Sequence, residues 1–174
     1  MSLPKNTALK HAALAWLLVL ASHASAQAAE TPLPDAIAAP GESIALAAHG
    51  VGAQVYECKA GADGKPAWAF REPIATLLAD GKTVGRHYAG PSWELGDGSA
   101  VTGRVTASVP GATPNDIPWL RLEAISPRGS GVLTGVTTVQ RINTSGGKLE
   151  GACDTAGAYR SVPYSADYVF LRKD

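Results

Sequence analysis

This 174-residue chain is poor in the features that most often betray a function. It has two cysteines, one methionine and two phenylalanines. Two cysteines exclude a disulfide-dense scaffold, and neither stands at ligand spacing from a histidine or from the other, which argues against a structural zinc site. There is no Gly-x-Ser-x-Gly elbow, no His-x-His or His-x-x-x-His pair, and no run of like charge. Fifteen basic side chains balance fifteen acidic ones, which argues against nucleic acid or an anionic membrane as the main partner, since both demand a basic face. No helical period holds for three turns after residue 26, which excludes a helical bundle. The longest apolar run, Ala12 to Ala21, is too short to span a bilayer, which takes about 20 residues.

That run has another use. Lys5 and Lys10 precede it and the small-residue tripeptide Ala24-Ser25-Ala26 ends it, the three parts of a secretory signal peptide. The reading is a leader over residues 1–26, cleavage after Ala26, and a protein beginning at Gln27. About 148 residues then remain, the size of one ordinary domain. Loss of Lys5 and Lys10 leaves thirteen basic against fifteen acidic groups, and His49 and His87 are the remaining histidines. No cysteine follows the leader, so the lipoprotein route is closed. The expected product is soluble and periplasmic or extracellular, with no integral membrane segment and no nucleic-acid partner. In such an oxidising compartment Cys58 and Cys153 are expected to form one disulfide.

Residues 27–41, rich in Ala and Pro, read as a loose arm, and residues 42–174 as a single β domain. Val51, Ala53 and Val55 alternate with Gln54 and Tyr56 ahead of Cys58. A turn over residues 61–64 precedes a strand carrying Trp68 and Phe70 on one face. Asp80-Gly81 marks a hairpin between Ile74–Ala79 and Lys82–Tyr88, although Pro73 leaves a helical turn open at Ile74–Ala79. Gly96-Asp97-Gly98 makes the next turn, between Trp93–Leu95 and Ser99–Val109. Further strands are read over Ile117–Ile125, Val132–Ile142 and Ser161–Leu171. In the last, Val162, Tyr164, Ala166, Tyr168 and Phe170 form an unbroken period-two row. The expected fold is all-β: a β-sandwich or flattened barrel of about eight or nine short antiparallel strands.

Several strings occur together: Gly52-Ala53-Gln54-Val55-Tyr56-Glu57-Cys58, Gly85-Arg86-His87-Tyr88-Ala89-Gly90-Pro91-Ser92-Trp93, Asp97-Gly98-Ser99, Pro118-Trp119-Leu120, Gln140 to Gly147, and Val162 to Tyr168. This set resembles the domain-of-unknown-function family 3455 (DUF3455), found in exported proteins of bacteria and fungi. The resemblance spans about Gly50 to Arg172. It implies a secreted single-domain protein and carries no catalytic or binding residues.

Among candidate site residues, the segment from His87 to Ser99 is the densest in polar and aromatic groups. Trp93 there offers a stacking surface, with His87, Tyr88 and Asp97 as hydrogen-bonding partners for a glycan or other small ligand. The alternative is that Trp93 is core and Asp97 makes a turn. If Trp68, Trp93 and Trp119 shared an exposed face, they would form a carbohydrate-binding platform. A hydrolase reading takes Ser92 or Ser99 as nucleophile, His87 as base and Asp97 as orienting group; a metal-dependent one draws on His49, His87 and a carboxylate. Arg141 either pairs internally with Asp167 or Asp154, or clamps an anionic ligand. The favoured function is binding of a glycan or small extracellular or cell-envelope molecule, with no cofactor and no catalytic residue assigned. A small secreted enzyme using His87 and Asp97 is the first alternative. An inhibitor or adhesion module for a secreted protein partner is the second.

Overall fold

The computed structural model describes residues 33–62 and 64–174; the leader and the first half of the arm lie outside the described residues. Eight strands make up the domain: β1 (Glu42–Ala60), β2 (Pro66–Ala79), β3 (Lys82–Tyr88), β4 (Ser92–Leu95), β5 (Ala100–Val109), β6 (Trp119–Arg128), β7 (Thr138–Gly146) and β8 (Tyr159–Lys173). Each pairs antiparallel with the next, and β8 returns to pair with β1, so a single sheet closes into a ring. Of the two architectures expected, the barrel is the one formed. The sandwich is excluded because β1 and β8 are hydrogen-bonded neighbours rather than members of opposed sheets. The ring is irregular, with register shifts at Val55/Tyr56, Leu77/Leu78, Val105/Ala107 and Ile142/Ser145.

β1 and β8 are longer than the short strands expected. β1 begins well before Val51, where the strand was read to start, and runs straight through Gly50 and Gly52. A Cβ at Gly50 would stand 2.6 Å from the Tyr168 ring, so glycine lets the strand pass close beneath a large inward aromatic. β2 likewise continues through Pro73, and no helical turn forms at Ile74–Ala79. Pairing with β3 reaches only as far as Ala75, so the missing proline N–H leaves no gap in that ladder. The expected strand from Val132 shrinks to one beginning at Thr138. The residues before it fold inward as a loop, and its apolar members Leu133 and Val136 are buried. Their burial is what made that loop resemble a strand.

Residues two apart on a strand share a face. The row read in β8 is buried from Tyr164 to Phe170 and meets Trp93, Leu77, Leu122, Leu133 and Val139 in one core cluster. The arm is anchored at its described end, contrary to the loose-arm reading. A 3₁₀ turn at Asp35–Ile37 buries Ile37 completely, and Gln140 Nε2 donates to the Ile37 carbonyl at 2.7 Å. The Cys58–Cys153 disulfide is formed, with a Cα–Cα distance of 5.9 Å. It ties β1 to the β7–β8 connection. No helix among the described residues is long and apolar enough to cross a membrane.

Candidate functional site at the open end of the ring

An up-and-down ring places alternate connections at the same end. The β2–β3, β4–β5 and β6–β7 connections therefore share one end, and Leu133 and Val136 close it from the β6–β7 loop. Asp97 and Ser99 hold that loop in place. Asp97 accepts from Ser99 N and Ser99 Oγ at 2.9 and 2.6 Å and from Val132 N at 2.8 Å, while Ser99 Oγ accepts from Leu133 N. These bonds, led by the Ser99 hydroxyl, hold the Asp97 carboxyl below the usual carboxylate range. Asp97 thus belongs to the plugged end.

The opposite end is open. Its β1–β2, β3–β4, β5–β6 and β7–β8 sides surround a pocket of about 1070 Å³ whose lining includes Gln54, Tyr56, His87, Ile117, Leu120 and Arg141. Trp68, half-buried, and Phe70, 55% exposed, give its mouth an aromatic lip. The rim is tied together through the backbone. Tyr56 Oη donates to the Gly147 carbonyl at 2.7 Å and accepts from Leu149 N, and Thr144 Oγ1 donates to the Ile117 carbonyl at 2.6 Å. Asp116 accepts from Gly146 N and Thr113 N, bonds that keep its carboxyl below the usual range.

Arg141 reaches this interior by register. It lies opposite Tyr168, as Val139 lies opposite Phe170, so it follows Val139 onto the inward face. Neither internal partner expected from the sequence engages it. Asp167 accepts instead from His49 Nδ1 at 2.7 Å and Asn143 Nδ2 at 2.9 Å, and Asp154 is exposed in the β7–β8 connection. The guanidinium donates through Nε and Nη2 to the Pro118 carbonyl, at 3.1 and 2.8 Å. Burial lowers its pKa, and the Tyr168, Tyr164 and Tyr56 hydroxyls oppose that shift. Two of those hydroxyls, on Tyr164 and Tyr168, lie 3.1 Å apart, both with pKa values raised by burial. Gln54, beside Tyr164, is 2% exposed, and its Nε2 has no hydrogen-bond partner among the described residues.

His87 and Trp93 form a stack inside the ring, with centroids 4.6 Å apart and planes 5° from parallel. They are 2% and 1% exposed. Trp93 is therefore core, and the three-tryptophan platform does not form, because Trp93 must pack against Tyr168 and Phe170. Since a carbonyl can only accept, His87 Nδ1–H donates to the Ser92 carbonyl, at 2.8 Å. Tyr88, next along β3, points outward and bonds Glu94 and Arg128. The groups of the hydrolase reading are dispersed: Ser92 Oγ bonds Thr102 Oγ1, Ser99 bonds Asp97, and His87 bonds a backbone carbonyl. Of the five candidate binding residues, His87 and Arg141 line the pocket, while Tyr88, Trp93 and Asp97 lie elsewhere.

Burial lowers the His87 pKa from 6.5 to about 4. The unfolded chain therefore binds a proton between those values that the folded chain refuses. Stability is full above pH 6.5 and falls as pH drops towards 4, by roughly 3 kcal/mol in all. His87→Phe keeps a ring on Trp93 and removes the titration. Urea unfolding from pH 7 to 4 should show the wild type losing about that much relative to the variant; parallel pH profiles would refute the assignment.

Sequence reasoning missed Gln54 and Tyr56 as inward residues. Their strand alternates, but the inward face is the one carrying Gly50, Gly52, Gln54 and Tyr56, while Val51 is exposed. The available signal was a pair of glycines two residues apart on the same face: Gly50 makes room for the Tyr168 ring of the neighbouring strand and Gly52 for the close approach of Ile74 and Ala75 on β2. Residues 39–172 match the family model described as Protein of unknown function (DUF3455). Comparison with curated proteins and with solved structures gives no match.

Proposed function

As a member of the DUF3455 family, the chain takes no activity from its relatives, and we propose that it is an exported, non-catalytic β domain that holds a small extracellular or cell-envelope ligand in the open end of its ring. The observation that carries this reading is the pocket itself. Its volume of about 1070 Å³ is at the upper end of small-molecule sites, which run to about 1,000 Å³, and its lining includes the buried Gln54 amide, whose Nε2 makes no hydrogen bond of ordinary geometry. An eight-stranded ring can either fill its interior with side chains or hold one small ligand. Here the plugged end does the first and the open end leaves room for the second. Export is supported by the leader read in residues 1–26 and by the disulfide, which persists in oxidising compartments. Binding rather than catalysis is favoured because the candidate nucleophiles and the candidate base are engaged with separate partners.

The uncharged fluorophore N-phenyl-1-naphthylamine tests the pocket. Saturable, blue-shifted emission is expected for the wild type, weakened about tenfold by Leu120→Trp, which fills the cavity from β6. A flat titration on folded protein would move the reading to a module that binds another secreted protein.

A further inference from the structure

We infer that the ligand of this pocket is a monocarboxylate with an apolar or aromatic body, its carboxylate gripped by the remaining donors of the Arg141 guanidinium and met by the Gln54 amide. The inference rests on the small-ligand reading above. A guanidinium carries five N–H donors in a planar fork. Pro118 O occupies the edge formed by Nε and Nη2 and the Tyr168 hydroxyl engages a further donor, which leaves two of the five for a ligand. Two donors on one guanidinium can meet the two oxygens of a carboxylate.

Among the described residues no acidic side chain neutralises the charge. Among the described residues, no carboxylate lies within ion-pair distance of Arg141, and the groups acting on it electrostatically are tyrosine hydroxyls. The other charges bordering the pocket are already matched. Arg71 pairs with Glu72, Lys148 with Glu150, and Asp116 is held by backbone donors. A partly buried cation without a counter-ion is costly, and an incoming anion removes that cost. Gln54 gives the second, independent pointer. Its buried Nε2 makes no hydrogen bond of ordinary geometry; it lies towards the Tyr164 hydroxyl, which Arg141 also faces. One anion between them would satisfy both. The aromatic lip of Trp68 and Phe70 then suits an apolar body.

The test compares 4-phenylbutanoate with its neutral isostere 4-phenylbutanamide by calorimetry, on the wild type, Arg141→Gln and Gln54→Glu. The wild type should bind the carboxylate about 10- to 100-fold more tightly than the amide. That gap should close in Arg141→Gln. It should also close in Gln54→Glu, where the new carboxylate occupies the guanidinium from within and raises the melting temperature. If Arg141→Gln fails to fold, Gln54→Glu decides alone. Equal binding of the two compounds by the wild type, or a gap that survives both substitutions, overturns the carboxylate assignment and leaves the pocket standing. If neither compound binds while N-phenyl-1-naphthylamine does, the assignment also falls. If all three probes fail, the small-ligand reading falls with it.

Discussion

Removing the disulfide should cost the protein about 4 to 5 kcal/mol. Cys58 and Cys153 are separated by 95 residues, and the chain-entropy account of so long a loop gives a loss of that size. Urea unfolding of Cys58→Ala/Cys153→Ala against the oxidised wild type measures it. A loss below about 1 kcal/mol would mean that the unfolded chain is already compact enough to make the cross-link redundant. The bond also has a local duty. Around it Cys58 N donates to Ala158 O, Gly157 N to Cys58 O and Cys153 N to Pro66 O, so the β7–β8 connection is sewn to β1 and β2. The variant should therefore lose probe affinity as well as stability, because Lys148, Leu149 and Glu150 on that connection border the pocket.

The second large effect is expected at Trp93. Truncation to alanine should destabilise the protein by about 3 to 5 kcal/mol, as for a fully buried large aromatic. Trp93 stacks on His87 and meets Tyr168 and Phe170 edge-on. A Cβ at Gly103 would stand 2.9 Å from its ring, so that glycine is part of the fit. Trp93→Ala should also let water reach His87 and move the depressed pKa back towards 6.5, visible in the imidazole NMR titration. A stable, unshifted Trp93→Ala protein would contradict the core assignment.

How much of this was legible beforehand depends on what the sequence encodes locally. The β8 row from Tyr164 to Phe170 was plain, because period-two alternation follows directly from strand geometry. The Asp80-Gly81 hairpin and the cysteine pairing were plain for the same kind of reason: each follows from a short pattern with one physical solution. Closure of the ring was not legible, since nothing near Ser43 announces that it lies opposite Arg172. The inward direction of Gln54 was hidden because a polar residue beside Val55 reads as solvent-facing unless the interior is known to carry polar side chains such as Arg141 and Tyr164. Arg141 was visible as a charge with two fates. Deciding between them required knowing that Asp167 faces the other side of the sheet, where His49 and Asn143 hold it.

The pairing of the first strand with the last also sets a schedule. Until β8 is made, β1 has only β2 beside it, and the pairs from His49 with Asp167 to Glu57 with Tyr159 have no second member. Contacts this distant in sequence form slowly, so the ring cannot be completed on a partly synthesised chain. Under the export proposed above, that delay would suit a chain that must cross a membrane as an open thread and lock only on the far side. Truncation within β8 should then do more than shorten the domain. It would leave β1 and β7 as unpaired edges, the kind of surface on which strands of other chains assemble.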